Sequence, residues 1–168
     1  MLFSIKNRGI NKRFILNFIV AIIVLMFCSL SFCQEQNRIF IDQKGNEVKV
    51  PGNVERVITP YPIATNIIYT IGGQKKLVGI DDNSPNDVWL QRIDPDIGQI
   101  VKVGMPWSVN IEEVISLNPD IVIGVSGEVS DKLREIGIPV IELDLGSGSD
   151  LESAIRLIGG CLGLEERS

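Results

Sequence analysis

Val103–Val125 reads VGMPWSVNIEEVISLNPDIVIGV, and this run of loop, short helix, stop and buried strand decides the fold. Asn110 followed three residues on by Glu113 is a variant of the capping box. The asparagine accepts from an early helix N–H, and the glutamate reaches back to the backbone. Val114, Ile115 and Leu117 give the helix an apolar side. Asn118-Pro119 ends it, because the residue before a proline is pushed out of the helical region. Ile121 to Val125, broken only by Gly124, is too short to span a bilayer and suits a strand covered on both faces. Folding does not explain Gly104-Met105-Pro106-Trp107-Ser108, a loop carrying a tryptophan between a strand and a helix. In parallel α/β sheets that edge is where ligands bind.

Outward from this stretch the alternation continues. On the N-terminal side, Arg56–Thr59 is a short strand, and Pro60-Tyr61-Pro62 turns the chain into a helix. Ile63, Ile67 and Ile71 recur every four residues along it until Gly72-Gly73 ends it. Leu77–Ile80 is a strand, Asp81–Ser84 a polar loop, Pro85–Ile93 one or two helical turns, and Ile100–Val103 a strand. On the C-terminal side, Glu128–Ile136 is an amphipathic helix closed by Gly137, and Pro139–Leu143 is a strand. Asp150 caps a last helix from Leu151 to Leu162, whose Leu151, Ile155, Ile158 and Leu162 share a face. Before all of these, Arg38–Asp42 and Glu47–Val50 flank Gln43–Asn46 as a small hairpin. The pattern predicts an α/β fold: a parallel sheet flanked by helices, with a small N-terminal β-hairpin.

The net charge of −5 hides two unlike parts. Residues 1–33 hold Lys6, Arg8, Lys12 and Arg13 and no acid, so residues 34–168 carry 21 acidic against 12 basic residues, a net −9. Such a body argues against a nucleic-acid surface. Phe14–Phe32 is apolar apart from Asn17, Ser29 and Ser31 and follows the basic cluster directly. Residues 1–33 therefore read as a signal peptide or N-terminal membrane anchor, with everything after Gln34 outside the cytoplasm. Residues 34–168 make one domain. Leu30-Ser31-Phe32-Cys33 resembles a bacterial lipobox, which makes Cys33 a candidate lipidation site. Phe32 stands where that motif has a small residue, and Ser31 and Cys33 also suit an ordinary cleavage site. Cys28 lies in the targeting segment and Cys161 in a late apolar helix, so disulfides do not frame the fold.

There is no histidine, which removes the usual catalytic triads and histidine zinc sites. Asp81-Asp82 is either a hard-cation site or a solvated acidic loop, with the loop favoured. Tyr61 either meets a ligand or packs against Pro60 and Pro62. Trp89 reads as packing its own short helix. Leu143-Asp144-Leu145-Gly146-Ser147-Gly148 matches the glycine loop with which methyltransferases hold S-adenosylmethionine. Asp150 stands where that motif has a third glycine, and eighteen residues follow it, so a flexible turn before a helix is the preferred account.

Four stretches, taken together, resemble the substrate-binding proteins of ABC importers for iron-siderophores, haem and cobalamin. They are the hairpin ending in Val50-Pro51 with Glu55-Arg56-Val57-Ile58; Pro62–Thr65 through Gly72 to Leu77-Val78-Gly79-Ile80; Val103-Gly104, Asn110-Ile111-Glu112, Leu117 and Pro119–Ile123; and Leu133, Ile136–Val140, Ile158-Gly159-Gly160 and Leu162-Gly163. Asn66 departs from the family, which usually has an acid there. The resemblance implies a Rossmann-like N-terminal lobe of a bilobed periplasmic-binding-protein fold. The chain stops at Glu165-Glu166-Arg167-Ser168, where that family's long inter-lobe helix would begin, so the expectation is that the second lobe is absent here because the sequence is a fragment, the gene is truncated or a second polypeptide supplies the rest. The resemblance further implies capture of an iron-chelate, haem or cobalamin-like ligand in the periplasm or at the outer face of the cytoplasmic membrane. The ligand would pass to a permease and its ATPase, without a cofactor and without catalysis. This lobe would contribute the loops at the strand ends: Tyr61, Asp82, Trp107, Ser126 and Gly127. In that family a glutamate in the position of Glu112 docks onto permease arginines, and Glu112, unlike Glu113, is free of the capping geometry. The competing expectations are a nucleotide-fold enzyme, such as a methyltransferase fragment, and a surface domain unconnected with transport.

Overall fold

The computed structural model describes residues 37–146 and 148–168. The expectations for the targeting segment and for Cys33 fall outside the described residues. An antiparallel hairpin comes first, pairing β1 (Arg38–Ile41) with β2 (Glu47–Val50) so that Phe40 faces Val48. The main sheet has five parallel strands: β3 (Val57–Thr59), β4 (Leu77–Ile80), β5 (Val101–Lys102), β6 (Ile121–Ile123) and β7 (Val140–Ile141). Helices α1 (Pro62–Thr70), α2 (Val88–Ile93), α3 (Ile111–Ser116) and α4 (Glu128–Glu135) connect them, and α5 (Gly148–Leu162) follows β7. The spatial order is β5-β4-β3-β6-β7. The chain thus builds outward from β3 to one edge and then returns to the other side of β3. The order reverses between β3 and β6, which opens a crevice at their carboxyl ends.

Alternate residues of each short strand serve opposite faces. Val57, Ile121, Ile123 and Ile141 pack under Ala64 and Ile68 of α1 and Ala154 and Ile158 of α5. Ile58, Val122 and Val140 pack on the other side with Val114 of α3 and Leu133 of α4. Both faces are covered, so the strands read as continuous apolar runs rather than as alternating ones. Val48 and Val50 of the hairpin join the first layer, as does buried Cys161. Burial pushes the Cys161 thiol up to about 12, so it serves as a small apolar side chain.

Asn118 stops α3 in the left-handed region, at φ +42°. A reciprocal set of hydrogen bonds then ties this stop to the entrance of β3. Asp120 Oδ2 accepts from the N–H groups of Glu55 and Arg56, each at 2.8 Å. The Arg56 guanidinium donates back to the carbonyls of Leu117 (2.6 Å from Nη2) and Asn118 (3.0 Å from Nε).

Several local expectations are corrected. Asn110 does cap α3, accepting from the Glu113 N–H at 3.2 Å. The return half of the box is not made, because the Asn110 N–H donates to Val103 O at 2.9 Å. Helix α5 begins at Gly148, so Asp150 lies inside its first turn, facing the positive end of the helix dipole, and is not the cap. Trp89 is 70% exposed and lies 5.2 Å from the Arg92 guanidinium, while Leu90 is the residue that packs α2. The loop starting at Leu143 is tethered to the hairpin: Gln43 Oε1 accepts from the Asp144 N–H, and Lys44 pairs with the Asp144 carboxylate.

Removing the Asp120 carboxylate leaves two N–H groups without their acceptor. Asp120→Ala should lower stability by about 1–3 kcal/mol. Urea denaturation should show this as a lower midpoint with an unchanged slope.

Candidate functional site

Loops from four strand ends converge on the crevice. After β3 the chain enters Tyr61, the extended N-cap of α1 (φ −113°, ψ 114°), with Pro62 at the first helical position. After β6 comes Gly124 at φ +89°. A β-carbon there would lie 2.6 Å from Tyr61 Cβ, so glycine is required both by the backbone conformation and by the approach of the tyrosine. The Tyr61 hydroxyl has no hydrogen-bond partner among the described residues. After β5, Ser108 N–H donates to Met105 O at 2.8 Å, closing a turn with Pro106 and Trp107 at its tip. Trp107 is 76% exposed, so core packing does not account for it. After β7 comes Leu143. Tyr61, Pro106, Trp107, Gly124, Val125, Ser126 and Leu143 line one open groove of about 230 Å³.

Three of the five residues expected at the ligand face, Tyr61, Trp107 and Ser126, therefore line one groove. Gly127 follows Ser126 as the N-cap of α4, at φ 64° and ψ −139°, and is not part of the lining. Asp82 is exposed in the loop after β4 and also lies outside the lining. Its neighbour Asp81 is buried and does not belong to a solvated acidic loop. It accepts from Thr65 Oγ1 (2.8 Å), Ser84 Oγ (2.6 Å) and the N–H groups of Asn83 and Ser84, and so shapes that loop from within. Glu112 is exposed on the first turn of α3, at the same edge of the sheet, while Glu113 is half-buried.

Gly124, Val125 and Leu143 were not expected at the site from the sequence, and Pro106 was expected only as part of the loop that carries Trp107. A glycine interrupting an apolar strand was a usable signal for Gly124; a lone leucine after a strand was none. Further grooves lie elsewhere, two of them beside strands. One runs between β2 and Gly137–Val140; the other, apolar, lies at Ile115, Pro119, Ile136 and Ile138, by the amino ends of β6 and β7. Neither is at the reversal of strand order.

A parallel sheet covered on both faces, with an aromatic-walled groove where its order reverses, is the architecture of α/β folds that take ligands outside the carboxyl ends of their strands. Residues 57–168 match the family described as periplasmic binding protein, and the chain belongs to that family. It is similar to the molybdate-binding protein MolA of Haemophilus influenzae, at 27% identity over 132 residues covering 76% of this chain and 38% of that protein. It is also similar to the vitamin B12-binding protein of Vibrio parahaemolyticus, at 30% identity over 61% of this chain and 36% of the other. Among solved structures, a periplasmic solute binding protein from Veillonella parvula superposes with a TM-score of 0.72 at 30% identity, covering 79% of this chain and 43% of that one. The chain thus spans about two fifths of the length of these relatives.

Gly124 and Trp107 should separate architecture from surface. Gly124→Ala should lower stability by about 1–3 kcal/mol through backbone strain and collision with Tyr61. Trp107→Ala should change it by less than about 0.5 kcal/mol. Thermal and urea denaturation of the two variants should give this contrast.

Proposed function

We propose that residues 34–168 are the ligand-binding lobe of an extracytoplasmic receptor for an ABC importer. The receptor captures an iron-chelate, haem or cobalamin-like ligand and delivers it to a membrane permease, and no bond is made or broken. The observation that carries this is the groove at the reversal of strand order, with Trp107 exposed at its rim in a fold shared with periplasmic binding proteins. Tyr61 and Trp107 supply aromatic faces and Ser126 a hydroxyl, the composition expected of a site for a large rigid ligand. Asp82 and Gly127 lie outside this lining and are proposed to meet the part of the ligand that extends beyond it. Residues 1–33 act as signal peptide or membrane anchor, with Cys33 either a lipid attachment point or part of an ordinary cleavage site. Glu112, exposed on the first turn of α3, is the proposed permease contact.

In the complete receptor, Trp107→Ala should weaken ligand binding by about 1–3 kcal/mol, the scale of losing a large aromatic contact. Unchanged affinity in a titration would remove Trp107 from the site. Glu112→Ala should leave ligand affinity intact while lowering uptake and permease binding, because a partly desolvated interfacial charge loses about 2–5 kcal/mol when truncated. Normal uptake by that variant would sink the docking role.

A further inference from the structure

An antiparallel hairpin with one face packed and the other in water ordinarily alternates apolar inside with polar outside. β2 obeys, with Val48 and Val50 buried and Glu47 and Lys49 exposed. β1 does not. Phe40 packs inward, but its neighbours Ile39 and Ile41 stand outside at 60% and 59% exposure. The register sets Ile39 opposite Lys49 and Ile41 opposite Glu47, so the four make one outward face whose charges cancel. This face is firmly mounted. Arg38 donates to the carbonyls of Gly160 and Cys161, each at 2.8 Å. Phe40 lies over Gly160, where a β-carbon would come 3.0 Å from its ring. At the turn, Asp42 and Gln43 fasten the hairpin to the backbone of Glu142.

The chain that precedes the hairpin points to what covers this face. Four residues, Gln34 to Asn37, separate Cys33 from β1. Fully extended, the run from Cys33 to Arg38 reaches about 17 Å. The headgroup layer of one leaflet is itself about 5–8 Å deep. An attachment at Cys33, by a spanning segment or by lipid, therefore keeps β1 close to the bilayer surface. Two isoleucines offer too little apolar area to bring a free protein to lipid. A tether this short makes the contact intramolecular, at high effective concentration, and a small patch then suffices. Charge does not contribute, because the face is neutral and the net −9 of residues 34–168 is repelled by anionic headgroups.

Resting on the membrane-anchor reading of residues 1–33 proposed above, we infer that the outer face of the hairpin, Ile39 and Ile41, lies on the lipid surface that anchors the chain. The contact fixes which flank of the lobe is turned to the membrane. It leaves the groove uncovered, since none of the groove's lining residues belongs to the hairpin.

The test uses the full chain with Cys28→Ser, Cys33→Ser and Lys49→Cys, labelled at position 49 with an NBD fluorophore. It is reconstituted into vesicles of phosphatidylethanolamine and phosphatidylglycerol. The remaining thiol, Cys161, is buried and escapes the label. A second chain carries the label through Lys102→Cys instead, on β5, the sheet edge away from the hairpin. At position 49 the emission should shift to the blue and be quenched by lipids bearing a nitroxide at headgroup depth. At position 102 it should stay as in buffer. Adding Ile39→Thr and Ile41→Thr, which keeps both side chains β-branched, should remove most of the quenching at 49 while the chain still floats with the vesicles. Equal quenching at both positions, or none at 49 in a chain that floats, overturns the inference and leaves the anchor standing. Quenching at 49 that survives the two threonines overturns it as well. A chain that does not float with the vesicles sinks the anchor reading and the inference together.

Discussion

The pairing of β3 with β6 is the constraint on which the rest of this structure depends. β3 is three residues long and buried throughout, so it has too little length to set its own register. The register comes from outside the strand, through the exchange between Asp120, Glu55, Arg56 and the carbonyls of Leu117 and Asn118. With that lock closed, Val57 sits opposite Ile121 and Ile58 opposite Val122. The strand ends then finish level, and Tyr61 comes against Gly124. A one-residue slip would turn every side chain of β6 to the wrong layer and separate the two halves of the groove.

The other wall is held from behind. Asp42 is buried in the hairpin turn, where it accepts from the N–H groups of Lys44, Asn46 and Glu142. Arg134 reaches both Asp42 and Glu142, and Ser130 donates to Glu142. The hairpin turn, the end of β7 and, through Ser130 and Arg134, both ends of α4 are thereby one polar unit. Leu143 and Ser126 extend from it into the groove. Charges are concentrated behind the groove, where they find partners in one another, and the groove itself presents rings and hydroxyls. Separating the two roles lets a rigid, charge-rich support carry an uncharged binding face.

Membership in the periplasmic binding protein family follows from residues 57–168, and the fold agrees with it. The glycine loop after β7, which matched a cofactor-binding pattern on composition, is instead engaged by Gln43 and Lys44 from the hairpin. A glycine-rich turn at a strand end serves any fold in which a helix must start close to a sheet.

Much of this was legible in the sequence wherever the interaction involved is local. The strand–helix alternation, the Asn110 cap, the stop at Asn118 and the extra tryptophan after β5 all depend on residues within about four positions of one another. Other expectations failed because distant chain competes for the same groups. The Asn110 N–H is taken by Val103, so Glu113 has nothing to return to. Asp81 is buried under Thr65 of α1, although its own neighbours are those of a solvated loop. Trp89 lies outside because Leu90 already fills the place beneath α2. By itself the sequence determined which segments become strands and helices and that a tryptophan loop stands at the carboxyl edge of the sheet, since periodicity, caps and stops are short-range. The tertiary structure alone decided that Tyr61 meets Gly124, that Leu143 closes the groove and that none of the described charged side chains lines it, because those facts depend on strand order and register between segments tens of residues apart.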